Sequence, residues 1–126
     1  MKIALIAIAL LAGACTARPP VESLAMPVDQ APVCGVTVTF GSYAMGIDRG
    51  TFAAVEALLA RDKGVTATSQ KRWGREGEVT MCVETRSAAD NARLFGEIAK
   101  LFPAKPRGPL TVESADGRKF EAGATP

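Results

Sequence analysis

Histidine is absent from the 126 residues, and tyrosine and tryptophan occur once each, as Tyr43 and Trp73. The missing imidazole removes His-based triads, histidine metal sites and most acid–base catalysis near neutral pH. Ser42, Ser69 and Ser87 therefore have no histidine base to activate them. No acidic pair has a spacing that marks glycoside hydrolysis, no C-x-x-C pair is present, and no phosphate-loop spacing occurs. These absences point away from an enzyme, and no motif calls for a cofactor or a metal ion. An enzyme of the small-ligand type would instead need a pocket holding a strongly perturbed acid. The charge is nearly balanced, 15 Lys+Arg against 13 Asp+Glu for a net +2, far from the basic excess of a nucleic-acid binder. No apolar run is long enough to span a bilayer. Ile3–Leu11 begins an apolar helix of about a dozen residues, which would rise only about 18 Å against a hydrocarbon core of roughly 30 Å.

What the N-terminus does carry is a leader. Lys2 supplies a positive n-region and Ile3–Leu11 an h-region of secretory length. The run then breaks at Leu11-Ala12-Gly13-Ala14-Cys15. These residues resemble the lipobox of bacterial lipoprotein precursors, with Ala12 where Leu is favoured. The resemblance implies that residues 1–14 are a signal peptide, that Cys15 takes a diacylglyceryl group, and that Cys15 becomes the first mature residue. The partner of Cys15 is then a lipid bilayer, since two or three acyl chains hold a protein firmly where one does not. Thr16 in place of Asp after the cysteine implies the outer membrane, with the domain facing the periplasm. Ala12-Gly13-Ala14 also satisfies the A-x-A rule for ordinary cleavage, which would give a soluble secreted product, and a buried N-terminal core helix is the remaining alternative.

Residues 15–32 are expected to be the lipidated cysteine and a flexible tether. Pro19, Pro20, Pro27 and Pro32 make up half of the eight prolines in the chain, and no apolar periodicity accompanies them. Drawn out fully, the tether would reach up to about 55 Å. An ordered arm lying on the domain is the other reading.

The domain is expected over 33–122, with 123–126 frayed. In Val33-Cys34-Gly35-Val36-Thr37-Val38-Thr39-Phe40, alternation puts Val36, Val38 and Phe40 on a buried face. Asp48 is the expected N-cap of a helix over 49–62, in which Phe52, Val55, Leu58 and Leu59 recur at helical spacing. A weakly alternating strand over 65–70 follows. A turn-rich stretch Arg72–Gly77 then leads into a strand on which Val79, Met81 and Val83 are buried. Ser87-Ala88-Ala89-Asp90 approximates a capping box for a helix over 88–102, lined by Leu94, Phe95, Ile98, Leu101 and Phe102 and ended by Pro103. Leu110–Glu113 is a fourth strand, and Asp116-Gly117 could turn it into a short fifth near Phe120. The order predicts an α+β, ferredoxin-like βαββαβ sandwich, with two helices on one face of a four-stranded antiparallel sheet. Its open face should carry Thr37, Thr39, Thr66, Thr68, Gln70, Thr80 and Glu84, with no aromatic platform of the kind that stacks RNA bases.

With Cys15 lipidated, Cys34 and Cys82 remain in an oxidising compartment, where a disulfide is expected. It would close residues 34–82, worth roughly 4 kcal/mol on the chain-entropy model. Register parity conflicts with this pairing, because Cys34 shares the core-facing register of Val36 and Cys82 the open-face register of Thr80. A bulge at Gly35, or a strand starting only at Val36, would resolve it.

Two surfaces are candidate partner sites. One is the loop Gly41–Asp48 with Tyr43; the other is Lys71-Arg72-Trp73-Gly74-Arg75, a basic hairpin tip in which Arg72, Trp73 and Arg75 are placed to touch headgroups, glycan or protein. A tight connection and a solvated charged tip are the plainer readings. The expectation is a non-catalytic cell-envelope lipoprotein whose domain binds or scaffolds an envelope protein, with no nucleic-acid partner. In addition, Val38-Thr39-Phe40-Gly41-Ser42-Tyr43, followed by an Ala/Leu-rich helix, resembles the opening of a SPOR domain. That resemblance implies a ferredoxin-like module that binds peptidoglycan stripped of stem peptides, although Val83-Glu84-Thr85-Arg86 lacks the Gly of that family after strand three.

Overall fold

The structure is a computed structural model that describes residues 33–123. The expected leader, Cys15 and tether, together with residues 124–126, lie outside the described residues. In chain order the elements are β1 (Val36–Phe40), α1 (Arg49–Arg61), β2 (Val65–Trp73), β3 (Glu78–Thr85), α2 (Ala88–Leu101), β4 (Leu110–Ser114) and β5 (Lys119–Ala122). The strands form one open sheet in the order β2-β3-β1-β4-β5, and every neighbouring pair is antiparallel.

The class is α+β, and the β2-β3-β1-β4 order is compatible with a ferredoxin-like arrangement. The strand count differs from the four expected, since β5 adds to the free edge of β4. Gly117, at φ 93°, makes the turn, and Lys119 pairs with Glu113, Phe120 with Val112 and Glu121 with Thr111. A segment with one large apolar residue gives little strand signal of its own. The tight turn and the unpaired backbone of β4 recruit it.

Both helices start at the expected caps. Asp48 Oδ1 accepts from the Thr51 N–H at 3.0 Å, and Ser87 Oγ accepts from the Asp90 N–H at 3.2 Å. One face of the sheet buries Val36, Val38 and Phe40 of β1 with Val79, Met81 and Val83 of β3 and Leu110 and Val112 of β4. Val55, Leu58 and Leu59 of α1, Leu94 and Ile98 of α2, and Phe102 close this core. Phe40 meets Phe52 edge-on at 5.1 Å between ring centroids. Each such side chain is worth about 1.5–3 kcal/mol on burial, so this single layer carries most of the domain's stability.

The Cys34 and Cys82 sulfurs lie at disulfide distance, with Cα atoms 5.1 Å apart. Of the two ways to reconcile their registers, the structure takes the second, because β1 begins only at Val36. Thr37 stands opposite Cys82 on the open face, so a straight continuation would carry Cys34 past it. The chain instead bends at Gly35, whose N–H still donates to Val83 O at 2.8 Å, and Cys34 turns back over the open face onto Cys82.

A second register feature corrects the expected open face. Val65 pairs with Thr85 but Ala67 with Glu84, so Thr66 is an extra residue, a β-bulge. Beyond it the alternation of β2 inverts: Thr68 faces with Val83 and Gln70 with Met81 on the helix side, while Ser69, Lys71 and Trp73 join Cys82, Thr80 and Glu78 on the open face. Thr68 and Gln70, expected on the open face, are therefore on the other side. The open face also gains an aromatic, Trp73, that simple alternation from Val65 could not place there.

Candidate functional site

Antiparallel pairing sends the C-terminal ends of β1, β2 and β5 and the N-terminal ends of β3 and β4 to one end of the sheet. Val33 enters at the other end. The end far from this entry therefore gathers the loop 41–48, the turn 74–77 and the connection 103–109, and both sequence-derived surfaces lie there.

The loop and the turn are joined through Glu76. Its Oε2 accepts from Ser42 Oγ at 2.6 Å and from the Gly46 N–H at 3.1 Å, while Ser42 Oγ accepts from the Ala44 and Gly46 N–H groups at 3.1 and 3.0 Å. The loop takes a left-handed backbone at Ala44 (φ 139°) and Gly46 (φ 89°), a cost of order 1–3 kcal/mol at a non-glycine residue that this network holds in place. Met45 between them projects outward at 94% exposure. Asp48, buried beneath, is where the third segment attaches, since its Oδ2 accepts from the Arg107 N–H at 3.0 Å. Burial pushes the Asp48 carboxyl up, but the N–H groups of Arg107 and Thr51 outweigh it and hold the acid below its usual range. A carboxylate already engaged in this way is a structural pin, not a proton donor.

The residues singled out in the sequence do not form one cluster. Tyr43 Oη donates to Gly123 O at the β5 side of this end. Trp73 lies on the opposite side, where Nε1 donates to Thr80 Oγ1 at 3.1 Å and draws the indole across β3 on the open face. Arg72, next in sequence, faces the helix side with Val79, and Arg75 stands exposed in the turn. The expected basic tip is thus split: β2 runs through Trp73, so Lys71, Arg72 and Trp73 are strand residues and only 74–77 turn. Glu76 and Met45 were not singled out by sequence, although the loop Gly41–Asp48 that holds Met45 was.

The open face reads in rows, Lys71–Thr80–Thr39–Thr111–Glu121 and Ser69–Cys82–Thr37–Glu113–Lys119, with Trp73 and Glu78 above the first. It is a hydroxyl-rich surface with the indole at one corner. Near the entry end, Arg93 gathers Asp62, Asp90 and Glu97 at 2.6, 3.0 and 3.4 Å. Its hydrogen bonds hold the Asp62 and Asp90 carboxyls below their usual range. Among the described residues no group of three His, Cys, Asp or Glu side chains could hold a metal ion, and no helix is long and apolar enough to cross a membrane. No family model, curated protein or solved structure matches the chain.

Proposed function

We propose that the chain is a non-catalytic cell-envelope lipoprotein, held on the outer membrane by an acylated Cys15 and facing the periplasm, whose domain binds another envelope protein. We take the domain as ferredoxin-like, β5 being an addition at its edge. The observation that carries the binding reading is the placement of Met45, at 94% exposure, on a cross-braced loop at the end of the sheet opposite the entry of Val33. A domain on an N-terminal leash presents that end outward. The sulfur pair Cys34–Cys82 fits an oxidising compartment. The shifts resolved for Asp48, Asp62, Asp90 and Asp116 are all downward, each toward a structural partner, which supports a role other than proton transfer. The test is a photo-crosslinking residue at Met45 in intact cells. A discrete protein adduct, lost when Cys15→Ser releases the chain from membranes, is expected; no adduct, or a Cys15→Ser chain that stays membrane-bound at unchanged size, would sink the reading.

A second reading, peptidoglycan binding on the open face, is favoured by the inversion that brings Trp73 beside Lys71, Thr80 and Thr39, since an indole flanked by hydroxyls suits a sugar ring. Here the full chain should sediment with purified sacculi, and Trp73→Ala should leave it in the supernatant. Equal sedimentation of both would remove the open face from consideration.

A further inference from the structure

The outer edge of β2 is one of the two open edges of the sheet. β2 hydrogen-bonds to β3 on one side only, its other edge has no strand beside it among the described residues, and of its nine residues all but Val65 are exposed. The Thr66 bulge is the cause. By turning Thr68, Gln70 and Arg72 toward the helix layer, it leaves α1 no apolar side chain of β2 to pack on beyond Val65, and a groove stays open between them. Gln70 Nε2 bridges it to Glu56 Oε2 at 3.4 Å, dividing it into two bays. One, of about 220 Å³, is floored by Ile47, Phe52 and Val79 and flanked by Arg49 and Arg72. The other, of about 360 Å³, is lined by Leu59, Ala60, Thr68 and Met81 among others. Arg49, Lys71 and Arg72 make no ion pair within 4.0 Å among the described residues, whereas Glu56, the acid lining the groove, is engaged by Gln70.

We infer that this groove receives an extended acidic segment of a partner protein, which adds to the sheet as a strand along β2. The unpaired edge supplies main-chain hydrogen bonds, and alternate side chains of the added strand, carboxylates among them, drop toward the bays that Arg49 and Arg72 flank, while the others stand toward the open face. A second copy of the chain is a poor occupant. A second β2 carries Lys71 and Arg72 and no acidic residue, so it offers no carboxylate to Arg49 and Arg72 and adds positive charge to the same edge. A basic partner strand is disfavoured for the same reason. The inference rests on reading the domain as a protein-binding module, but it holds whether or not Cys15 carries lipid.

The probe is a fluorescent, N-acetylated peptide of about eight residues in which Glu and Val alternate along one face and Thr fills the other, titrated into the full chain in mild detergent. Controls are a Val/Lys counterpart, a Val/Glu peptide broken by a central Pro, and an unlabelled peptide of residues 19–32 as competitor. Binding of the acidic probe is expected, weakened about tenfold or more by Arg49→Glu or Arg72→Glu, abolished by the Pro break, and accompanied by amide shifts over Ala67–Arg72. Circular dichroism melts of both variants should match the parent, since the two arginines are exposed. Equal binding of the Val/Lys peptide, shifts confined to Trp73 and Thr80 or to the 41–48 loop, dimerisation lost in the Arg72→Glu variant, or displacement by the 19–32 peptide would each overturn it. Failure here leaves the Met45 crosslinking test untouched, so the two readings fall separately.

Discussion

Ser42 and Glu76, 34 residues apart, are joined by a 2.6 Å hydrogen bond that fastens the loop after β1 to the β2–β3 turn. The same carboxylate accepts from the Gly46 N–H, so removing it takes the acceptor from the Ser42 hydroxyl and leaves the Gly46 N–H with Ser42 Oγ alone. Glu76→Ala should cost about 1–3 kcal/mol in urea denaturation and speed amide exchange at Gly46. Unchanged protection of that amide would show that the loop holds its shape without the brace.

Reducing Cys34–Cys82 should lower stability by roughly 2–4 kcal/mol while leaving the fold intact, because the bridge acts largely by restricting the unfolded chain. Paired urea titrations with and without reductant measure it. Coincident curves would mean that the sulfurs are not bonded in the purified protein.

Two glycine-to-alanine changes should move stability in opposite directions. At Gly35 an added methyl would run into Asn91 Oδ1 and Thr85 Oγ1, at the bend that delivers Cys34, and Gly35→Ala should cost about 1–3 kcal/mol. Gly96 sits inside α2 with open space where a methyl would go, so Gly96→Ala should stabilise by about 0.5–1 kcal/mol. Thermal melts that moved the same way for both would contradict this account of the bend.

Acid should unfold the domain through its aspartates. Arg93 holds Asp62 below its ordinary 3.8, and Asp48, Asp90 and Asp116 are lowered as well. A carboxyl lowered in the folded state binds fewer protons folded than unfolded. Its contribution is therefore complete above 3.8 and is lost as pH falls through the folded value. Stability should be level from neutral pH to about 5 and drop below about 4, with a shallower drop in Asp62→Asn. Arg93→Ala, which leaves the Asp62 carboxylate with only the Gly64 N–H at 2.8 Å, should lower stability at neutral pH and flatten the drop in acid. A variant as acid-sensitive as the parent would remove Asp62 from the explanation.

Much of the scaffold was legible because its signals are local. Val36, Val38 and Phe40 declare their buried face by alternation, Asp48 and Ser87 declare their helices by capping, and the two helices lie within a residue of where periodicity put them. Asp116-Gly117 pointed to a short fifth strand near Phe120, but it stayed outside the expected four-stranded sheet because a lone Phe120 between charged residues carries no alternation of its own until β4 is there to pair with. The facing of β2 was misread for a different reason. A bulge is a property of two strands in register, and nothing in Val65-Thr66-Ala67-Thr68 marks which residue is surplus. That one residue decides that Trp73 and Arg72 look to opposite sides, so the candidate site was only partly legible. Tyr43, Trp73, Arg72 and Arg75 were in view, but their separation and the role of Glu76 needed the pairing.

The turn-back of Cys34 onto Cys82 also has a mechanical meaning. Any pull on the segment ahead of Val33 would, without the bridge, peel β1 away from its neighbours one hydrogen bond at a time. With the sulfurs joined, the load passes straight from Cys34 into β3, and the two central strands must shear together. With the lipid anchor proposed at Cys15, the domain is thereby reinforced at the point where tension arrives.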